Sequence, residues 1–148
     1  MTRRLALSFA SLLAASALTG CAILYDSVGE KYSMTLSGGR EIPGPGDRQG
    51  SGIADIIIDA SVPQICFTIE VDGIAPATAA HIHRGRSGEA GPPVVTLEPP
   101  SDGESHGCFG AERALTNEIN ADPANFYVNI HNRDYPNGAL RGQFERRP

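Results

Sequence analysis

The strongest constraint on the fold lies in residues 64–73, QICFTIEVDG. Ile65, Phe67, Ile69 and Val71 alternate there with Cys66, Thr68, Glu70 and Asp72. In an extended chain successive side chains point to opposite faces. This period of two therefore makes a strand with one face in a core and the other turned outward, and it excludes a helix. Once one such strand is required, partners must be found for its backbone. The chain supplies them as β-branched runs at 32–36, 53–59, 78–84, 93–97, 107–113, 126–132 and 138–145. Between them stand 17 glycines and 11 prolines, which make turns and stop helices. A loop is expected over 41–52, and a single helical turn over 116–124, from Thr116 to the residue before Pro123. The expectation is an all-β domain of about eight strands, a Greek-key antiparallel β-sandwich, with a closed small barrel as the competitor.

The first 21 residues stand outside this pattern. Arg3 and Arg4 form a basic start, and Leu5 to Leu18 an apolar stretch too short to span a bilayer. Leu18-Thr19-Gly20-Cys21 follows and resembles a bacterial lipobox, in which Cys21 is acylated and becomes the first mature residue. Residues 1–21 then read as a lipoprotein signal peptide, 22–31 as a tether and 32–145 as the domain. Acyl chains on Cys21 would hold the protein to a membrane of the bacterial cell envelope, facing the periplasm or the exterior.

Charge narrows the partners. The formal net charge is −5. Loss of Arg3 and Arg4 with the signal brings it to about −7, an acidic body with no basic stripe, which argues against nucleic acid. An unknown protein or small ligand remains as the partner in solution. With Cys21 lipidated, Cys66 and Cys108 are left as a pair. In an oxidising compartment an even pair reads as a disulfide. Both fall on outward faces of their strands, as a cross-strand bond within one sheet requires.

The chemistry concentrates in histidine. His81 and His83, in TAAHIHR, share one face of a strand while Ile82 takes the other. In FYVNIHN, Val128 and Ile130 point inward and Tyr127, Asn129 and His131 outward. If these strands are neighbours, His81, His83 and His131 meet on one solvent-facing polar surface. Three neutral imidazoles on a rigid sheet suit copper(II) or zinc(II), with copper first in the affinity order. Tyr127, Asn129 and Arg141 are the candidates to support the ligands, through carbonyls or side chains such as Asn129 that hold the other ring nitrogens. The competing reading is a hydrogen-bonded ladder that only fixes strand register. His106, in a polar loop, is expected to be solvated. No GxSxG, CxxC, HExxH or phosphate loop is present, so the residues favour a binding module over an enzyme.

The blocks Ala80-His81-Ile82-His83-Arg84-Gly85, Gly91 to Val95, Tyr127 to His131 and Gly138 to Gln143 stand in order along the chain. Leu36-Ser37-Gly38 with Glu41 and Pro43 precedes them. Together they resemble the CHRD domain, named for the repeats of chordin, over about residues 32–145. The resemblance implies an extracytoplasmic β-sandwich module and no single activity. Ile42-Pro43-Gly44-Pro45 departs from the family's usual double proline, and the cysteine pair is foreign to its pattern. A fainter likeness to copper/zinc superoxide dismutase rests on the His-x-His strand and the later strand histidine. The bridging histidine and zinc-loop ligands of that enzyme have no counterpart here. The leading expectation is a lipid-anchored, non-enzymatic binding module whose three-histidine face holds copper or another divalent metal. A protein-recognition or structural envelope module without metal is the alternative, and a dismutase-like oxidoreductase the third reading.

Overall fold

A computed structural model describes residues 29–145. The signal segment, Cys21 and most of the tether lie outside the described residues.

Eight antiparallel strands form in the order the alternation predicts: β1 (Glu30–Ser37), β2 (Ser51–Asp59), β3 (Gln64–Asp72), β4 (Ala77–Arg84), β5 (Pro93–Leu97), β6 (Glu104–Gly110), β7 (Phe126–Asn132) and β8 (Leu140–Gln143). One helix, α1 (Arg113–Ala121), lies between β6 and β7. The helix is longer than the single turn expected and begins earlier. Ile119 and Thr116 are fully buried beneath it and Leu115 packs against the core, so tertiary packing extends what the local sequence only starts.

The strands hydrogen-bond in the order β5-β4-β7-β8-β1-β2-β3-β6. Two halves, β5-β4-β7-β8 and β1-β2-β3-β6, enclose one core between them as the layers of a sandwich do. They are one continuous curled sheet, joined where Ser37 of β1 stands opposite Arg141 of β8. The links β3–β4, β5–β6 and β6–β7 each cross from one half to the other.

The core is the set of inward positions the period of two selects. Tyr32, Met34 and Leu36 come from β1, Ala54, Ile56 and Ile58 from β2, and Ile65, Phe67 and Ile69 from β3. The other half contributes Ala80, Ile82, Val128, Ile130 and Leu140, all fully buried. Burial of such side chains stabilises by about 1.5–3 kcal/mol each before the cost of chain ordering.

Cys66 and Cys108 stand directly opposite each other on β3 and β6 and form the disulfide, on the outer side of the sheet. Their sequence separation is 42. Closing a loop of that size in the unfolded chain gives about 4 kcal/mol in the chain-entropy account. Replacing both cysteines by alanine is expected to keep the far-ultraviolet circular dichroism of the fold. The same change should lower its unfolding free energy in urea by about 2–4 kcal/mol; a change below about 0.5 kcal/mol would remove the bond from the list of main stabilisers.

Candidate metal centre

The site grows out of the pairing of three strands. On β4, Ala80 and Ile82 face the core; on β7, Val128 and Ile130 do; on β8, Leu140 does. The residues between them occupy the opposite face. Register puts His81 opposite Asn129 and Asn129 opposite Arg141, with His83 opposite Tyr127 and Tyr127 opposite Gln143. His131 lies diagonal to His81, opposite Ala79. Six side chains singled out in the sequence, His81, His83, His131, Tyr127, Asn129 and Arg141, are thereby brought onto one face.

The face is not the open surface expected. His83 is 8% exposed, Tyr127 2%, Asn129 4% and Arg141 2%. The glycine-rich loop after β4, residues 85–91, folds back over it and is held by side chains of β7 and β8. Arg141 donates to the carbonyls of Glu89 (2.8 Å) and Arg86 (2.9 Å), and Gln143 to that of Gly85 (2.9 Å). The Tyr127 hydroxyl takes the Gly91 N–H at 3.1 Å. A Cβ at Gly91 would fall 1.6 Å from the Arg84 carbonyl oxygen, so only glycine permits this return. The Arg141 guanidinium lies 3.5 Å from the Tyr127 ring centroid, and Tyr127 stacks on His83 at 4.9 Å and 17°.

The three imidazoles converge. Ring centroids are 5.6 Å apart for His81 and His83, 5.1 Å for His81 and His131, and 6.2 Å for His83 and His131. One ligating nitrogen from each lies within 4.8 Å of the others. His83 Nδ1 is 2.8 Å from the Gly91 carbonyl and His131 Nδ1 is 3.1 Å from that of Pro136. A carbonyl only accepts, so both Nδ1 atoms carry the proton and both Nε2 atoms keep a free lone pair. His81 Nδ1, His83 Nε2 and His131 Nε2 are buried without a protein hydrogen-bond partner. Burial holds all three imidazoles below the usual histidine range. For His83 the Arg141 charge acts in the same sense, against its carbonyl hydrogen bond. The rings are thus neutral donors, the form a metal takes.

A family model described as CHRD domain matches residues 32–144. The chain belongs to the CHRD domain family. No match to the chain was found among curated proteins or among solved structures. The matched span covers every residue of the site, so the three-histidine face lies within the CHRD domain itself.

Two residues of this CHRD domain behave differently from the expectation. Asn129 was expected to steady a histidine; instead its Nδ2 donates to Glu41 at 3.3 Å, while backbone carbonyls hold the rings. Arg141 reaches the site but directs its donors to the covering loop and to Gln143 Oε1. His106 is exposed and stands on the other half of the sheet, beside Glu104. A surface cleft of about 670 Å³ also lies on that half, where Glu70, Asp72, Asp102 and Glu104 line it. No histidine lines it.

Glu41 is the residue that sequence reasoning passed over. It follows the 3-10 turn Gly38–Arg40 and is 3% exposed. Burial raises its carboxyl from 4.5 to about 7, against the opposing effects of Arg141 and the Asn129 hydrogen bond. Gly138, at φ +141°, leaves the space it fills: a Cβ there would lie 2.4 Å from Glu41 Oε2. Nothing in a glycine- and proline-rich loop marks one acid for burial, and only its place in the early family element set it apart.

The sign of the resulting pH dependence follows. Between pH 4.5 and about 7 the folded state binds a proton at Glu41 that the unfolded state has released. Glu41 therefore lowers stability as pH rises through that window, by on the order of 3 kcal/mol at its upper end. The histidines act oppositely, since the unfolded chain gains their protons as pH falls below 6.5. Glu41→Gln should leave the histidine contribution in place and abolish the loss of stability above pH 4.5. Urea unfolding across pH 4.5 to 8 measures it; parallel curves for the two proteins would contradict the assignment.

Proposed function

We propose that the protein is a non-enzymatic metal-binding module of the bacterial cell envelope, in which His81, His83 and His131 hold a copper or zinc ion. The observation that carries this reading is the convergence of three buried ring nitrogens that no protein group satisfies. A buried acceptor without a partner costs about 1–3 kcal/mol, and three together on one face call for a common partner. A tetrahedral ion with bonds of about 2.0–2.1 Å brings nitrogens to roughly 3.3 Å from one another, so modest ring motion within the 4.8 Å cluster closes the site. With nitrogen ligands alone, copper precedes zinc in affinity.

The dismutase-like reading needs a cation free to meet an incoming anion, and Arg141 is spent on the covering loop. The metal-free alternative, a recognition or structural module, is favoured by the Arg141–Tyr127–His83 stack, which orders the face without any ion. Acylation at Cys21 would supply the membrane attachment. The Cys66–Cys108 disulfide suits an extracytoplasmic protein, and among the described residues no helix is long and apolar enough to cross a membrane. The acidic balance makes nucleic acid an unsuitable partner.

Titration of the full chain with copper(II) and zinc(II) tests the reading. One ion per chain is expected, with affinity falling by about 100-fold or more in each of His81→Ala, His83→Ala and His131→Ala. Binding indifferent to all three substitutions would leave the metal-free module.

A further inference from the structure

Among the described residues the protein buries one carboxyl and one guanidinium, Glu41 and Arg141. Arg141 stands on the histidine face, and Glu41 reaches that face through Asn129. Asn129, which Glu41 holds by its amide, is the cross-strand neighbour of His81 on one side and of Arg141 on the other. The three imidazoles bring no negative charge, and the cation Arg141 lies 3.5 Å from the centroid of the Tyr127 ring that stacks on His83. A divalent ion entering such a site would stand beside a like charge in a region of low dielectric, an arrangement that is costly without an anion.

We infer that Glu41 is the counter-charge of the three-histidine site: its carboxylate, anchored by Asn129, offsets the charge of the bound ion beside Arg141, and ion uptake drives a proton off Glu41. This rests on the metal-binding reading above and extends it by one residue. Glu41 acts here as a positioning and charge-balancing residue and not as a ligand.

The surroundings leave Glu41 free for this role. Loop 44–50 packs on it, and the Asp47 carboxylate there accepts from the Gln49 N–H. Arg40, on the preceding turn, donates to the Thr35 carbonyl. On β7, His131 turns Nδ1 to Pro136. Arg141 on β8 is the charge that acts on Glu41. Glu41 Oε1 has no protein donor. In the ion-free protein burial keeps the carboxyl protonated up to about pH 7. A nearby cation reverses that balance in favour of the carboxylate. Proton and ion are therefore linked without the proton ever sitting on a ligand.

Calorimetric titration of the full chain with zinc(II), in buffers of differing ionisation enthalpy, counts the protons released. At about pH 6.5 the wild-type protein should release about half a proton per ion or more, and near none at about pH 8.5. Glu41→Gln should release under about a quarter of a proton at either pH and bind zinc about tenfold more weakly at the higher one. A purely structural glutamate would change affinity without changing the proton count. As a check independent of the variant's folding, the carboxyl carbon of Glu41 followed by nuclear magnetic resonance should titrate about one pH unit or more lower with zinc than without. An unshifted midpoint, or equal proton release from Glu41→Gln and wild type with the histidine-dependent binding intact, overturns this inference and leaves the metal site standing. Absence of zinc binding in the wild type overturns the metal reading and this inference with it.

Discussion

The histidine face depends on one buried cation. Arg141, on the last strand, reaches two carbonyls of the loop that follows β4 and lies flat on Tyr127, which in turn stacks on His83. Burying a guanidinium costs several kcal/mol, and the carbonyls, Gln143 and the aromatic ring offset it. Without this clamp the loop 85–91 would be held only near its ends, by Gln143 at Gly85 and Tyr127 at Gly91, and the Gly91 carbonyl that fixes the His83 tautomer would be less firmly placed. Strands from the middle and the close of the sequence, β4, β7 and β8, are tied together here by the loop that follows β4.

Two interiors result from one sheet. Inside the curl the residues are mostly Ile, Leu, Val, Phe and Ala, and the Tyr32 hydroxyl among them donates to Asn120 Oδ1. Under the loop, on the reverse face of β4, β7 and β8, the buried residues are His, Tyr, Asn, Arg and Glu. The second interior is polar because most of its groups find a partner from backbone or side chain, and the few atoms there that do not are ring nitrogens of the three histidines and the Glu41 and Asn129 oxygens Oε1 and Oδ1. Asymmetry of this kind marks where a protein keeps a binding function, since satisfied groups hold a shape and unsatisfied ones await a ligand.

The strand pattern was legible because period two is set by backbone geometry and burial alone. Ile65, Phe67 and Ile69 on β3, and Val128 and Ile130 on β7, had to face inward, and their neighbours had to face away. The Cys66–Cys108 pairing was legible for the same reason. What the sequence did not carry was the covering of the second face. Whether His83, Tyr127 and Asn129 meet water depends on where residues 85–91 fold, and that is decided by Arg141, more than fifty residues away. Glu41 was hidden for a like cause, its burial depending on Gly138 and Asn129, both distant in the chain. The early onset of α1 likewise reflects Ile119 and Thr116 reaching the core and not any capping residue.

A sheet that curls without closing keeps two free edges, β5 and β6. Exposed edges invite other chains to add strands, and the protein treats its two edges differently. β5 is short and opens with Pro93, just after Pro92, and neither has an N–H to offer a newcomer. β6 has no such guard, but Cys66–Cys108 rivets it to β3 near its middle. An edge that cannot peel away from its own neighbour is a poor template for exchange between copies. The disulfide thus guards β6 against strand exchange between copies of the chain.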